Sequence, residues 1–308
     1  MSRARHAAWL LLAALAGCGF IGRSLGRNLA APREPRKLGH RISDPRRPDA
    51  RLAVLWIGHA TVLVQVDDVF VLTDPVFTRT VGELSPRLVE PGLDPAQVPP
   101  LAAVLISHMH FDHLSYDSLD MLEHKTNVVL VPPGVRSVMP RYSFEIRELD
   151  RWESYDAGGV RITAVPARHV GGRWGLDQAW NPRAFTAHVF EYHGLSVYFG
   201  GDTAFDEDNF NATRSRFSSL ALALLPICPT EPRDFMRGVH MDSVEALDAF
   251  SLLGAERMVP IHFDTFINSD DRPGDCPRYL RKRMGELGLG ADRVAILEIG
   301  EQRVLIAK

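Results

Sequence analysis

The chain runs through the apolar stretch Ala102-Ala103-Val104-Leu105-Ile106 straight into Ser107-His108-Met109-His110-Phe111-Asp112-His113, four ligand-type side chains within six positions. A chain with only twelve histidines does not concentrate them this way by chance. If the apolar stretch is a strand, extended spacing points His108 and His110 to the same side, and a turn at Phe111 swings Asp112 and His113 round to a second point nearby. Imidazole and carboxylate with no thiolate beside them suit zinc, iron or manganese. A pair of ions needs further ligands, and the chain offers His169, Asp202 and His262. Each follows an apolar run, at the strand ends where loops on a rigid scaffold build sites.

The periodicity of the rest fits such a scaffold. Strands are expected at Leu52–Ile57, Thr61–Val66, Val69–Thr73, Ala103–Ser107, Val128–Val131, Arg161–Val165, Phe185–Tyr192, Ser196–Phe199, Ala221–Leu225, Met258–Ile261, Val294–Ile299 and Gln302–Ala307. Asp67-Asp68 and His193-Gly194 signal hairpins, and amphipathic helices are expected at Ser115–Glu123, Val135–Met139, Ser243–Leu253 and Pro277–Leu287. Strand-rich halves, each closed by helices and with no repeat, make residues 51–308 one layered α/β domain. At 308 residues, 45% hydrophobic and 24% charged, the composition excludes a disordered, collagen-like or polytopic membrane chain.

The N-terminus reads as an address. Arg3 and Arg5 precede an apolar run from Ala7 to Ala16, too short to span a bilayer but ordered like a secretory signal. Leu15-Ala16-Gly17-Cys18 resembles the bacterial lipobox, which implies residues 1–18 as a lipoprotein signal peptide and Cys18 as the lipidated residue. A plain secretory signal and a chance apolar N-terminus are the alternatives. Gly19, where an aspartate commonly retains such proteins at the inner membrane, points to the outer membrane, facing the periplasm of a bacterial envelope. Residues 19–50 carry eight Lys/Arg against Glu34, Asp44 and Asp49, a net of +5, and Pro32, Pro35, Pro45 and Pro48 interrupt any long helix. They read as an extended basic tether that either favours anionic lipid or simply lifts the domain off the membrane. The remaining 258 residues hold 25 basic and 35 acidic side chains, a net of −10, which disfavours a nucleic-acid partner.

The His-x-His-x-Asp-His run with a later His, Asp and His resembles the metallo-β-lactamase superfamily, whose fold is an αββα sandwich with a dinuclear site on one edge. Trp56-Ile57-Gly58-His59-Ala60-Thr61, Leu72-Thr73-Asp74-Pro75-Val76-Phe77, Pro232-Arg233-Asp234-Phe235-Met236, His240 and Ile261-His262-Phe263-Asp264-Thr265-Phe266 further resemble the subgroup of N-acyl-phosphatidylethanolamine-hydrolysing phospholipases D. Ascorbate-6-phosphate lactonase is a more distant cousin. The match runs from about Leu52 to about Leu280. Two departures lie beside ligands: Val170-Gly171-Gly172-Arg173 stands where the subgroup has Trp-Ser-Gly-Arg, and Phe263-Asp264 where it has Trp-Gly.

The resemblance implies that His108, His110 and His169 hold one divalent ion, that Asp112, His113 and His262 hold the other, and that Asp202 bridges. Zinc is the first expectation, with manganese or iron as alternatives. Two such ions sharing a hydroxide can attack phosphorus or a carbonyl. Asp74 is expected beneath the ligand loop, orienting it. His59 lines the site or makes a structural hydrogen bond. His240 either meets a phosphate oxygen or leaving group, with Asp112 as the other proton-transfer candidate, or caps the following helix. Arg173 is a candidate phosphate contact. Trp174, Trp180, Phe235, Met236 and Phe266 either wall an acyl groove or pack the core. His40, His124, His188 and His193 read as surface or tether residues.

Three cysteines are too few for a disulfide framework, and Cys228 and Cys276 are not expected as ligands because Asp202 takes the bridging place. Whether they pair stays open. The expected activity is a phosphodiesterase on a phospholipid or small phosphodiester. The alternatives are a lactonase or other carbonyl ester hydrolase, and a non-catalytic lipoprotein that binds metal or ligand.

Overall fold

The computed structural model describes residues 19–20, 22–82, 84–173 and 182–308. The signal and lipobox at 1–18, and Trp174 and Trp180, lie outside the described residues. Two sheets face each other. The first has the order β15-β1-β2-β3-β6-β7-β8, built from β1 (Ala50–Gly58), β2 (Thr61–Val66), β3 (Val69–Thr73), β6 (Ala103–Leu105), β7 (Val128–Val131), β8 (Glu145–Glu148) and β15 (Gln302–Ala307). The second has the order β14-β13-β12-β11-β10-β9, built from β9 (Ser154–Ala157), β10 (Val160–Val165), β11 (Ala187–Tyr192), β12 (Leu195–Phe199), β13 (Leu222–Pro226) and β14 (Met258–Ile261). A small ribbon pairs β4 (Thr80–Val81) with β5 (Ser85–Pro86).

Each sheet begins as hairpins and ends in parallel strands. Asp67 and His193 take the left-handed backbone that tight hairpin turns need, joining β2 to β3 and β11 to β12. The parallel pairs β3-β6-β7-β8 and β12-β13-β14 are joined by crossovers carrying helices. Helix α2 (Tyr116–Leu122) lies between β6 and β7, α3 (Glu207–Arg216) between β12 and β13, and α4 (Arg233–Met236) and α5 (Ser243–Leu253) between β13 and β14, while α1 (residues 22–30) precedes β1 and α6 (Asp275–Leu287) follows β14.

Strand alternation explains the layers. Leu52, Val54 and Trp56 of β1 join the core between the sheets, whereas Leu55 and Ile57 join the second core, with Leu119 and Leu122 of α2. Each fully buried aliphatic side chain contributes roughly 1.5–3 kcal/mol of hydrophobic stabilisation. Helix α5 packs Ala246, Leu247, Phe250 and Leu253 into the first core. Asp242 starts it with a capping box to Glu245, and Gly254 ends it. The result is the αββα sandwich expected above.

Three expectations change, and one helix was not foreseen. Val294–Ile299 forms no strand: Ala295 bonds once to Met258, and Val294, Ala295 and Leu297 fill the core without pairing further. Residues 135–138 form a 3-10 turn in place of a helix. Helix α3 escaped the periodicity because its sequence is polar nearly all round and buries only Phe210 and Thr213. His188 lies fully buried in β11, since a histidine inside an apolar run on a central strand has nowhere else to go, and burial pushes its pKa down to about 3.

The segment read as an extended tether also differs, because it lies against the domain. Helix α1 is followed by an Arg36–Val89 bridge, by Arg41 donating to the Pro91 carbonyl, and by the Arg47 amide bonding Gln65. The prolines prevent a long helix, but not docking. Among the described residues no helix is long and apolar enough to cross a membrane.

Candidate metal centre

Six strand ends meet at one edge of the sandwich. His59 follows β1, Asp74 follows β3, the Ser107–His113 loop follows β6, and His169, Asp202 and His262 follow β10, β12 and β14. His59, Asp74 and His262 have positive φ angles of 55°, 30° and 66°, unusual for side-chain-bearing residues. Backbone strain is held where side chains turn into the cluster.

The geometry sorts the side chains into neighbouring groups. Ligand atoms of His108, His110 and His169 lie within 4.8 Å of one another, as do those of His59, Asp112, His113 and His262. Asp202 touches both groups: its carboxylate lies 3.2 Å from His113 Nε2 and 3.0 Å from His262 Nε2, and 3.9 and 3.8 Å from His108 and His169 Nε2. All seven residues expected as ligands come together, with Asp202 between the two triplets.

Hydrogen-bond partners decide which ring nitrogens carry protons. His169 Nδ1 donates to the Val239 carbonyl at 2.8 Å, His262 Nδ1 to the Cys228 carbonyl at 2.9 Å, and His113 Nδ1 to the Asp74 carboxylate at 2.6 Å. With those protons turned outward, the three Nε2 lone pairs converge inward. His113 and His262 Nε2 face each other at 3.2 Å, and His169 Nε2 is buried with no hydrogen-bond partner. Facing lone pairs beside buried carboxylates are a cavity shaped for a cation. The donor set, imidazoles and carboxylates, fits zinc, iron or manganese.

Electrostatics agree. Burial and the neighbouring imidazoles hold His108 well below the ordinary histidine value, and burial takes His169 down to about 4, so both are neutral as ligation requires. Burial alone would raise Asp202, but His113, His262 and His240 outweigh it and keep the carboxylate ionised. At His113 burial is overcome by Asp202, Asp112 and Asp74, which favour a positive charge there. A divalent ion answers the same demand without a proton.

A second layer holds these groups in place. Buried Asp74 accepts from the Ser107 amide at 2.7 Å, the Ser107 hydroxyl at 2.6 Å and His113 Nδ1, so one carboxylate ties down the start and end of the ligand loop. His59 Nε2 lies 3.0 Å from Asp112 Oδ2, with its ring 3.9 Å from that of His262. Burial and His262 push His59 down to about 3, so it meets Asp112 as a neutral donor. Asp74→Asn is expected to weaken zinc affinity by about 10–100-fold, measured by chelator competition. Affinity within twofold of wild type would remove Asp74 from this role.

His240 stands at the mouth, its Nδ1 3.7 Å from Asp202 Oδ2 and its ring 5.1 Å from His169. It lies two residues before the Asp242 cap of α5, and it is Asp242 that caps that helix. Arg173, expected as a phosphate contact, lies buried against the ligand loop. Its Nη1 donates to the Met109 and Leu114 carbonyls at 2.9 Å each, and its guanidinium lies over the rings of Phe111 and Tyr116. Through Nη1 it braces the ligand loop from inside.

The second motif departure has a structural account. Asp264 takes the left-handed backbone that glycine takes most easily, at φ 52°, and its carboxylate accepts the Gly274 amide at 2.7 Å. Phe263 stacks on Trp56 with ring centres 4.4 Å apart. Of the groove candidates, Met236 and Phe266 are buried, while Phe235 is 54% exposed. Periodicity did not reveal Arg87, which is fully buried, donates to the Val76 and Thr78 carbonyls and lies over Phe266, with burial and Arg41 lowering it to about 9. Cys228 and Cys276 form a disulfide, which removes both from metal binding.

A family model described as the beta-lactamase superfamily domain matches residues 70–263, from β3 to just past His262. An uncharacterised protein of Mycobacterium tuberculosis is 34% identical over 232 residues, 71% of this chain and 61% of that protein. The chain therefore spans about three fifths of that relative's length. An N-acyl-phosphatidylethanolamine-hydrolyzing phospholipase D of Caenorhabditis elegans is 30% identical over 246 residues, 74% of this chain and 68% of that enzyme. Among solved structures, a metallo hydrolase of the archaeon Ignicoccus hospitalis superposes with a TM-score of 0.61 at 22% identity, covering 82% of this chain and 97% of its own. That last likeness is one of fold. The family match spans the elements that deliver the clustered His and Asp residues, and with them the chain belongs to the metallo-β-lactamase superfamily of metal-dependent hydrolases.

Proposed function

We propose that the protein is a phosphodiesterase that cleaves N-acylated phosphatidylethanolamine or a related phospholipid, using two divalent ions, zinc first. The observation that carries this reading is the 30% identity to the Caenorhabditis elegans phospholipase D over 68% of that enzyme. His108, His110 and His169 would hold one ion, Asp112, His113 and His262 the other, with Asp202 between them. Divalent ions there supply Lewis acidity and lower the pKa of water.

The chain's own residues supply the rest. Asp202 keeps the two triplets together. Asp112, whose side chain is 23% exposed, is steadied by His59 at the mouth, where it can accept a proton from the incoming nucleophile. Burial holds His240 well below its ordinary value, so it is neutral at pH 7 and carries one ring proton. From its place at the mouth its ring N–H can donate a hydrogen bond to the oxygen on which charge builds as the leaving group departs.

A second reading, hydrolysis of a lactone or other carbonyl ester, is favoured by one observation. The guanidinium of Arg173, the expected phosphate contact, is committed to backbone carbonyls and aromatic rings.

The localisation belongs to the same proposal: a lipid anchor on Cys18, at a bacterial outer membrane facing the periplasm. The order of charged residues, apolar run and Leu-Ala-Gly-Cys supports it, and the Cys228–Cys276 disulfide fits an oxidising compartment.

The test incubates the zinc-loaded full chain with vesicles containing N-acyl-phosphatidylethanolamine and reads products by mass spectrometry, beside His110→Ala. Phosphatidic acid and free N-acylethanolamine are expected from wild type only. Intact lipid from metal-loaded protein that does hydrolyse lactones would move the reading to the second. The mass of the intact protein from its native envelope reports whether Cys18 is acylated.

A further inference from the structure

Two of the histidines that face the metal centre are oriented by one stretch of chain. The carbonyl of Cys228 accepts His262 Nδ1 at 2.9 Å, and the carbonyl of Val239 accepts His169 Nδ1 at 2.8 Å. These rings belong to different triplets, so the 228–240 segment sets the aim of both. It is irregular, with only the four residues of α4 as regular structure. Its position is set from outside. The disulfide fixes its first residue, while the Asp271 carboxylate accepts the Thr230 amide at 2.8 Å and the Glu231 amide at 3.0 Å.

The loop that carries Asp271 is held in turn by α1. Arg27 donates to the carbonyls of Ser269 and Asp271, Asn28 donates to the carbonyl of Ile267 at 2.9 Å, and Arg23 pairs with Asp270. Asn28 is 6% exposed and is anchored on its other side by the Ser85 hydroxyl at 2.8 Å, so the helix cannot shift without breaking these bonds. Just before α1, the Phe20 ring lies 5.5 Å from that of Phe235 on α4. The helix thus grips both the loop and the segment, although it lies some forty residues before the matched family domain begins.

We propose that α1 is a positioning element of the metal centre. Through residues 267–271 it holds the 228–240 segment, whose Cys228 and Val239 carbonyls aim His262 and His169. This rests on the ligand assignment made above. A carbonyl that fixes the tautomer and tilt of a ligating histidine acts on metal affinity, typically by 10–100-fold when it is lost. Arg27 and Asn28 act one step further out, so their removal should fall at the low end of that range.

The experiment measures zinc affinity of the full chain by chelator competition and records the visible spectrum of the cobalt-loaded protein. It compares wild type, Arg27→Ala with Asn28→Ala, and Arg41→Ala. Arg41 ties the same N-terminal segment to the Pro91 carbonyl, away from the loop, and so controls for mere loosening of the terminus. The double variant should lose about tenfold in zinc affinity, with altered cobalt bands, while Arg41→Ala keeps both. Should the double variant fail to fold, Arg27→Gln serves, with roughly a threefold loss expected. Affinity and spectrum matching wild type in either Arg27 variant would overturn the inference alone. A wild-type chain that binds no zinc or cobalt would overturn the ligand assignment and this inference with it.

Discussion

Asp202→Ala is expected to lower kcat/KM by at least about 1,000-fold, because the site would lose a charge-stabilising contribution of several kcal/mol at close to tenfold per 1.4 kcal/mol. The carboxylate reaches both triplets, lying 3.2 and 3.0 Å from His113 and His262 and under 4 Å from His108 and His169. Without it, five converging imidazoles keep Asp112 and, behind His113, Asp74 as counter-charges. Metal content should therefore fall along with activity. Elemental analysis of the purified variant beside its kinetics checks both, and more than a tenth of wild-type activity with full metal content would remove Asp202 from the centre. Asp202→Asn sharpens the test, since it keeps the shape and one oxygen but no charge. If charge matters most, it should resemble alanine.

Gly201→Ala is expected to be the most damaging change of a single methyl group. Gly201 has φ 56°, where an alanine pays roughly 1–2 kcal/mol, and a Cβ there would sit 2.2 Å from Ser107 Cβ and 2.6 Å from its hydroxyl. The obstruction is not the end of a flexible side chain. Ser107 is buried, its amide and hydroxyl are bonded to Asp74, and it is joined directly to His108. Either the turn carrying Asp202 or the strand end carrying His108 must move. A loss of about 3 kcal/mol overall is expected, lowering the thermal midpoint by roughly 5 °C or more, together with weakened metal binding. A midpoint within 1 °C of wild type would show that the two turns can separate at little cost.

The two variants probe different distances along the chain, and the same contrast explains what the sequence could reveal. Strand alternation and hairpin turns are local. Thr61–Val66, Val69–Thr73, Val128–Val131, Met258–Ile261 and Gln302–Ala307 are all expected from pattern and all present at those bounds. Helix α3 and the edge strands β8 and β9 were missed because they bury few side chains and leave a faint pattern. Val294–Ile299 shows the converse, an apolar run that is buried but hardly paired. Burial writes itself into sequence, whereas hydrogen bonding to a particular neighbour does not.

By itself, the sequence determined which residues can ligate and that they stand at strand ends. Ligand chemistry restricts the residue types, and a strand end places a side chain with little help from elsewhere. Only the tertiary structure decided the rest. Arg173 turned out to brace the ligand loop, His188 to be buried, and Cys228 and Cys276 to be joined. The basic N-terminal segment proved to be docked, through bonds such as that between Arg27 and the Asp271 carbonyl, 244 residues apart in sequence. A long polar side chain has many partners of equal chemistry within reach, and which one it meets depends on how distant elements pack, a choice that no local pattern records.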